Sequence, residues 1–234
     1  MRVLVTRPEP GAAQTAARLI EQGFEPVVLP LSEIRSLNPT FPATDAFQTV
    51  AVTSANAIRY TRAEWIAALD HLPWHVVGTV TAKAAGDAGV SNVASVDGDA
   101  KALGAQIIAQ FQPGAYILYL CGRVRSPDLE AQLGQAGLIV GAVETYDTVD
   151  LNPSADQLRA LDVAPIDAVL IYSENMARRL VDLKWTYSEA IFGSAKWIAI
   201  SARAAAPLID AGLEVKIAAG PNENAVFALL SDTA

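Results

Sequence analysis

The sequence predicts an α/β protein: two similar five-stranded parallel-sheet domains, one of them discontinuous, joined by a two-stranded linker. Three observations carry this. Short apolar runs alternate with amphipathic stretches along all 234 residues, the pattern of βαβ units. Most of these runs are continuously apolar rather than alternating, as expected of strands buried on both faces. One strand-to-helix corner also occurs twice. "VTSANAIR" (52–59) returns as "IYSENMAR" (171–178), so Ser54, Asn56 and Arg59 meet Ser173, Asn175 and Arg178 at a shift of 119 positions.

The elements follow in chain order. "VLV" (3–5) opens as a strand, and a helix over 11–22 stops at Gly23. "PVVLP" (26–30) is the next strand, then "TVAVT" (49–53), a helix over 55–69 and "HVVG" (75–78). A helix over 80–88 stops at Gly89 and precedes "NVASV" (92–96). Helix 100–111 leads to "YILYL" (116–120). Helix 127–136, closed by Gly137, leads to "LIVGAVETY" (138–146). The last third gives "AVLIY" (168–172), helix 174–183, "WIAI" (197–200), helix 202–211 closed by Gly212, "EVKIA" (214–218) and helix 222–231. Glycine just past a helix is the usual stop signal, because the chain leaves through a left-handed conformation.

The repeat extends and fixes the organisation. "DAG" at 87–89 recurs at 210–212, and "NVASV" has its counterpart in "EVKIA". The middle region carries an extra strand-helix-strand unit that the C-terminal region lacks. The matching unit stands at the N-terminus, where Leu4 corresponds to Leu118 and Gly23 to Gly137. A nested arrangement results. One flavodoxin/Rossmann-like domain is 38–142, and the other combines 1–31 with 151–234. Residues 32–37 and 143–150 cross between them as linker strands.

Composition narrows the function. Apolar residues make up 52% and charged residues 18%, enough for a substantial core and against disorder. No apolar run approaches the roughly 20 residues of a membrane span, and no signal-peptide pattern follows Met1. One cysteine, Cys121, excludes an intrachain disulfide and suits a reducing compartment. These features predict a soluble cytoplasmic protein. The net charge of −8 argues against nucleic acid as a partner but leaves room for a small anionic ligand. His71 and His75 flank Pro73, so no shared helix face for a metal or a triad is expected. No glycine-rich nucleotide motif and no G-x-S-x-G occur. An enzyme of this kind is expected to work without cofactor, by positioning and electrostatics.

Ligands of open parallel sheets bind outside the carboxyl ends of the strands. The residues there are Thr6, Arg7, Ser173, Asn175, Ser201 and Arg203 in the terminal domain. In the middle domain they are Ser54, Asn56, Thr81, Lys83, Gly122, Arg123 and Arg125. Hydroxyls, amides and cations dominate, beside helix N-termini with free N–H groups, which favours anions. Each Ser, Thr or Asn is equally an ordinary N-cap. Arg59 and Arg178 read as solvated helix faces, and Cys121 as a buried structural thiol. Two such edges facing each other would make an anion-binding cleft between the domains. A non-catalytic two-domain binder of a small anion is the alternative.

The ordered series "VLVTRP", "GFEPVVLPLSEI", "VTSANAIR", "VVGTVTAKAAGDAG", "YLCGR…AGLIVGAVETYDTV" and "AISARAAAPLIDAG" resembles the uroporphyrinogen-III synthase family over nearly the whole chain. The resemblance implies cyclising dehydration of hydroxymethylbilane, a linear tetrapyrrole with eight carboxylates. The last ring is inverted through a spiro intermediate, in the biosynthesis of haem, sirohaem and cobalamin. It implies a monomer without cofactor, in transient contact with the preceding pathway enzyme. It also implies Tyr146, in "VETYDTV", as the acid that helps the hydroxyl leave, with Ser54, Thr81 and Ser173 at the substrate. "SARAA" departs from the threonines many members have after the corresponding strand, so no threonine contact carries over there.

Overall fold

The computed structural model describes residues 1–159, 161, 163–186 and 189–231, with only the backbone described at 184–186, 189 and 190. The chain divides into two compact units, Met1–Glu33 with Val149–Ala234, and Ile34–Thr148.

The first unit holds β1 (Arg2–Val5), α1 (Gly11–Glu21) and β2 (Glu25–Val28) from the N-terminus. The C-terminal part adds α7 (Ala155–Arg159), β9 (Ala168–Ile171), α8 (Glu174–Thr186), α9 (Glu189–Phe192), β10 (Lys196–Ala199), α10 (Ala202–Asp210), β11 (Val215–Ile217) and α11 (Glu223–Ser231). Its sheet runs β11-β10-β9-β1-β2, and every pairing is parallel. Leu4, Val169, Ile171 and Trp197 face a core shared with Leu180 and Leu208 of α8 and α10. Val3, Val5, Leu170 and Ile198 face the other, with Leu19, Val226 and Phe227 of α1 and α11. Apolar side chains on both faces explain why these strands are continuous apolar runs.

The second unit holds β4 (Thr49–Val52), α2 (Ala55–Arg59), α3 (Ala63–Leu69), β5 (Trp74–Val77), α4 (Gly78–Asp87), β6 (Val93–Val96), α5 (Ala100–Gln110), β7 (Tyr116–Gly122) and α6 (Asp128–Gln135). The segments that pass between units are β3 (Ser32–Ser36) and β8 (Ile139–Asp150), which contain the unit boundaries near 33 and 149. The strand order is β3-β8-β7-β4-β5-β6. Val50, Val52, Trp74, Val76, Leu118 and Leu120 face α2, α3 and α4, while Ala51, Ile117, Tyr119 and Cys121 face α5 and α6. His75 is buried against Phe111, and burial lowers its pKa.

Three differences from the sequence expectation have physical reasons. The second sheet has six strands rather than five, because β3 pairs with β8. Leu37 N–H donates to Thr145 O (3.0 Å) and Leu151 N–H to Leu31 O (2.9 Å), so one strand ascends as the other descends. β8 is accordingly one strand of 12 residues, with no break between domain strand and linker. The helix expected over 55–69 is two helices. The Ala57 carbonyl, which the Thr61 amide would take in a continuous helix, accepts instead from the hydroxyls of Thr61 (2.7 Å) and Thr145 (3.0 Å). Arg62 then turns to an extended conformation and starts α3. The helix expected from residue 80 begins at Gly78, whose φ of +76° makes the sharp exit from β5. The four glycines read as helix stops, Gly23, Gly89, Gly137 and Gly212, all have positive φ.

Candidate active site

In an open parallel sheet the ligand crevice forms where strand order reverses, outside the carboxyl ends. In the second unit this point lies between β4 and β7. β4 ends at Val52, followed by Thr53 and Ser54, and β7 ends at Gly122, followed by Arg123. Thr53 Oγ1 and Tyr119 Oη are hydrogen-bonded at 2.9 Å, which closes the floor with two hydroxyls. Burial pushes the Tyr119 phenol up to about 12, partly offset by Thr53.

Tyr146 stands at this point, on β8. Its ring lies across Gly122, packs against the core under α2, and sits 6.1 Å centroid to centroid from Tyr60. Burial raises its pKa, partly offset by the polar Ser54 hydroxyl nearby. The phenol therefore stays protonated at neutral pH, ready to donate. Ser54 is the N-cap of α2, and its Oγ accepts from Asn56 N–H at 3.3 Å.

Beside this point a cavity of about 400 Å³ is lined by Arg123, Arg125, Pro127, Glu130 and Ala131. Arg125 is bonded to Glu130 and Glu144, both at 2.9 Å, and both raise its pKa. Arg123 reaches Asp147 at 3.0 Å and Glu144 at 3.4 Å. The Arg125 hydrogen bond, ahead of opposing burial, holds the Glu144 carboxyl below its usual range. Thr81 is buried in the first turn of α4, 5% exposed. Thr79 and Val80, absent from the sequence-based candidates, are the exposed residues of that turn. Lys83 points to Asp87, four residues on, at 2.7 Å. Cys121 is buried, and burial pushes its thiol up to about 12, which suits a structural role.

In the first unit the reversal lies between β1 and β9. Arg7 follows β1 and stacks over Tyr172, which follows β9, with its guanidinium 4.3 Å from the ring centroid. Both meet Glu223, the first residue of α11. Glu223 accepts from Thr15 Oγ1 (2.5 Å), Tyr172 Oη (2.9 Å), Arg7 Nη1 (3.3 Å) and Arg18. Burial alone would raise this carboxyl, but the hydrogen bonds from Thr15, Tyr172 and Arg18 outweigh it and hold the pKa down. Ser173 and Ser201 cap their helices, accepting from Met176 and Ala204 N–H at 3.3 Å each. Asn175 donates to Asp150 at 3.0 Å, and Arg203 pairs with Glu174 at 3.1 Å.

In sequence the strand ends are rich in cations and poor in acids. In three dimensions each of the cations named there meets a carboxylate from this chain. The acids arrive from other elements or from further along the same helix, as with Glu223 for Arg7 and Glu144 for Arg123. Glu223 stands 216 positions from Arg7 in sequence, and no local pattern announces it. The Thr53–Tyr119 pair, 66 positions apart, escapes the sequence for the same reason. Among the described residues no group of His, Cys, Asp and Glu is arranged to hold a metal, and no helix is long and apolar enough to cross a membrane.

A family model described as uroporphyrinogen-III synthase HemD matches residues 13–228. The chain is also similar to the solved structure of a uroporphyrinogen-III synthetase from Helicobacter pylori 26695, with 19% identity over 98% of this chain and 97% of that one, at a TM-score of 0.70. A mutant uroporphyrinogen III synthase from the extremely thermophilic bacterium Thermus thermophilus is similar at 18% identity over 98% and 96%, with a TM-score of 0.59. At these identities the two structures speak for the fold. Comparison with curated proteins finds no match.

Proposed function

Since this chain belongs to the uroporphyrinogen-III synthase family, we propose that Tyr146 is the general acid of its reaction. The enzyme is a lyase of tetrapyrrole biosynthesis. It dehydrates hydroxymethylbilane and closes it to uroporphyrinogen III, and the match over residues 13–228 carries that assignment.

The chemistry asks for two things. The departing hydroxyl needs a proton, so that the pyrrole nitrogen can push out water. The electron-poor carbon left behind must then meet the ring carbon that gives the inverted isomer, through a spiro intermediate, before the ring closes the uninverted way. The Tyr146 phenol suits the first need. It is protonated, half-buried, laid across Gly122 at the end of β7 and packed beside Tyr60. A positioned acid of this kind is worth about 10²–10⁴-fold in rate. The second need is an orientation problem, met by fixed donors rather than by a strong nucleophile. Exposed N–H groups and hydroxyls at the strand ends, including Thr79, suit a substrate with eight carboxylates. Arg7, Asn56, Thr81, Lys83, Arg123, Asn175 and Arg203 remain proposed substrate residues, with Ser54, Ser173 and Ser201 acting through their capped helix ends. The cations among them would bind by exchanging a carboxylate of this chain for one of the substrate's. We place the enzyme in the cytoplasm as a monomer, in passing contact with the enzyme that supplies its unstable substrate.

Hydroxymethylbilane generated enzymatically is supplied, and the product isomers are separated. The type III isomer is expected, and type I alone at the uncatalysed rate would overturn the assignment. Tyr146→Phe tests the acid: turnover should fall by about 10²-fold or more, and full retained turnover would remove Tyr146 from the mechanism.

A further inference from the structure

Tyr146 reaches its place through an irregularity in β8. Along β7, Leu118 and Leu120 face the core under α2, while Tyr119 and Cys121 face the opposite core. Gly122 continues the first series. Along β8, Val143 shares the core of Leu118 and Leu120, and Thr145 bonds the Ala57 carbonyl of α2, so both point to that same face. Strict alternation would send residue 146 to the other face. The register prevents this. Cys121 pairs with Glu144, but the next residue, Gly122, pairs with Tyr146, leaving Thr145 as an extra residue in the ladder. This is a β-bulge, a device that re-aims a side chain. Tyr146 therefore also faces α2, where Ser54 begins the helix, and its core contacts are on that side.

Gly122 supplies the space. A Cβ built there would stand 2.7 Å from Tyr146 Cζ and 2.9 Å from its Oη, closer than such atoms ever approach. Its backbone φ lies outside the left-handed region, so conformation does not require glycine at this position. The passage of the phenol does.

We propose that Gly122 and the bulge opposite it form a positioning device for the Tyr146 hydroxyl: the bulge turns the ring onto the α2 face, and the missing side chain lets the phenol lie across the end of β7. This rests on Tyr146 being the acid. Gly122 touches no reacting atom and acts only through the ring.

The test is a double-mutant cycle on hydroxymethylbilane turnover, with folding followed by thermal melting. Gly122→Ala displaces the far end of the ring, and an ångström-scale misplacement costs on the order of 10²-fold in kcat, with KM little changed. Gly122→Ala/Tyr146→Phe should be no slower than Tyr146→Phe alone. Tyr60→Leu loosens the same ring from its contact at 6.1 Å. It gives a second non-additive pair with Tyr146→Phe should Gly122→Ala not fold. If Tyr146→Phe is slow while Gly122→Ala keeps wild-type turnover, or if the losses multiply, the positioning proposal is overturned and the acid assignment stands. If Tyr146→Phe itself keeps full turnover, the acid assignment fails and takes this inference with it.

Discussion

At the scale of single residues, the chain's polar side chains are used mainly on one another. Glu223 is the clearest case, a carboxylate 16% exposed with four donors from α1, the β1 end and the β9 end. Glu223→Gln keeps its shape and removes the charge that faces Arg7 and Arg18. Hydrogen bonds to a charged group are worth about 1.5–3 kcal/mol each, so a loss of that order is expected in urea unfolding at pH 7. The pH dependence has a definite sign. The folded pKa lies below the ordinary 4.5, so this stabilisation is complete above about 4.5 and is lost as pH falls through the folded value. The Gln variant should show a shallower acid limb, and an acid limb identical to the parent's would contradict the assignment. Tyr146 was legible in the sequence only as a tyrosine of a resembling motif. What makes its phenol distinctive, the passage across Gly122 and the packing beside Tyr60, joins residues far apart in the chain and cannot be read from either segment.

At the scale of elements, local chemistry was well written in the sequence. Ser54, Ser173 and Ser201 each cap a helix, and the glycines after four helices take positive φ. Ser201→Ala removes the bond to Ala204 N–H and should destabilise the first unit by about 1 kcal/mol, read as a shift in the urea midpoint with an unchanged slope. No change would mean that water or a neighbour replaces the cap. The break between α2 and α3 was not legible. Its cause includes the Thr145 hydroxyl, which takes the Ala57 carbonyl from 88 positions away. The bulge in β8 was hidden too, since one surplus residue in a ladder is visible only against the partner strand.

At the scale of the whole molecule, each unit carries its own pair of cores. The first places Val3, Leu4, Leu170 and Trp197 on its sheet, the second Val50, Trp74, Leu118 and Leu120. Leu118 is fully buried, and truncating it to Ala costs about 2–5 kcal/mol. Amide hydrogen exchange should show that loss of protection in β4, β5 and β7, with β1, β9 and β10 little affected. Equal loss in both sheets would mean that the chain unfolds as one cooperative body. The α/β class and the parallel strands were determined by the sequence alone. Apolar runs, helix stops and a repeated corner are local patterns, and each element's period and ends are set by neighbours within a turn or two. Only the tertiary structure decided which groups face each other at the strand ends: that Glu223 answers Arg7, that Glu144 answers Arg123 and Arg125, and that Gly122 admits Tyr146. Those partners lie between about 20 and more than 200 positions apart, and a bulge of one residue chose the face on which the phenol stands. Through-space pairing depends on register and strand order, which sequence periodicity does not encode.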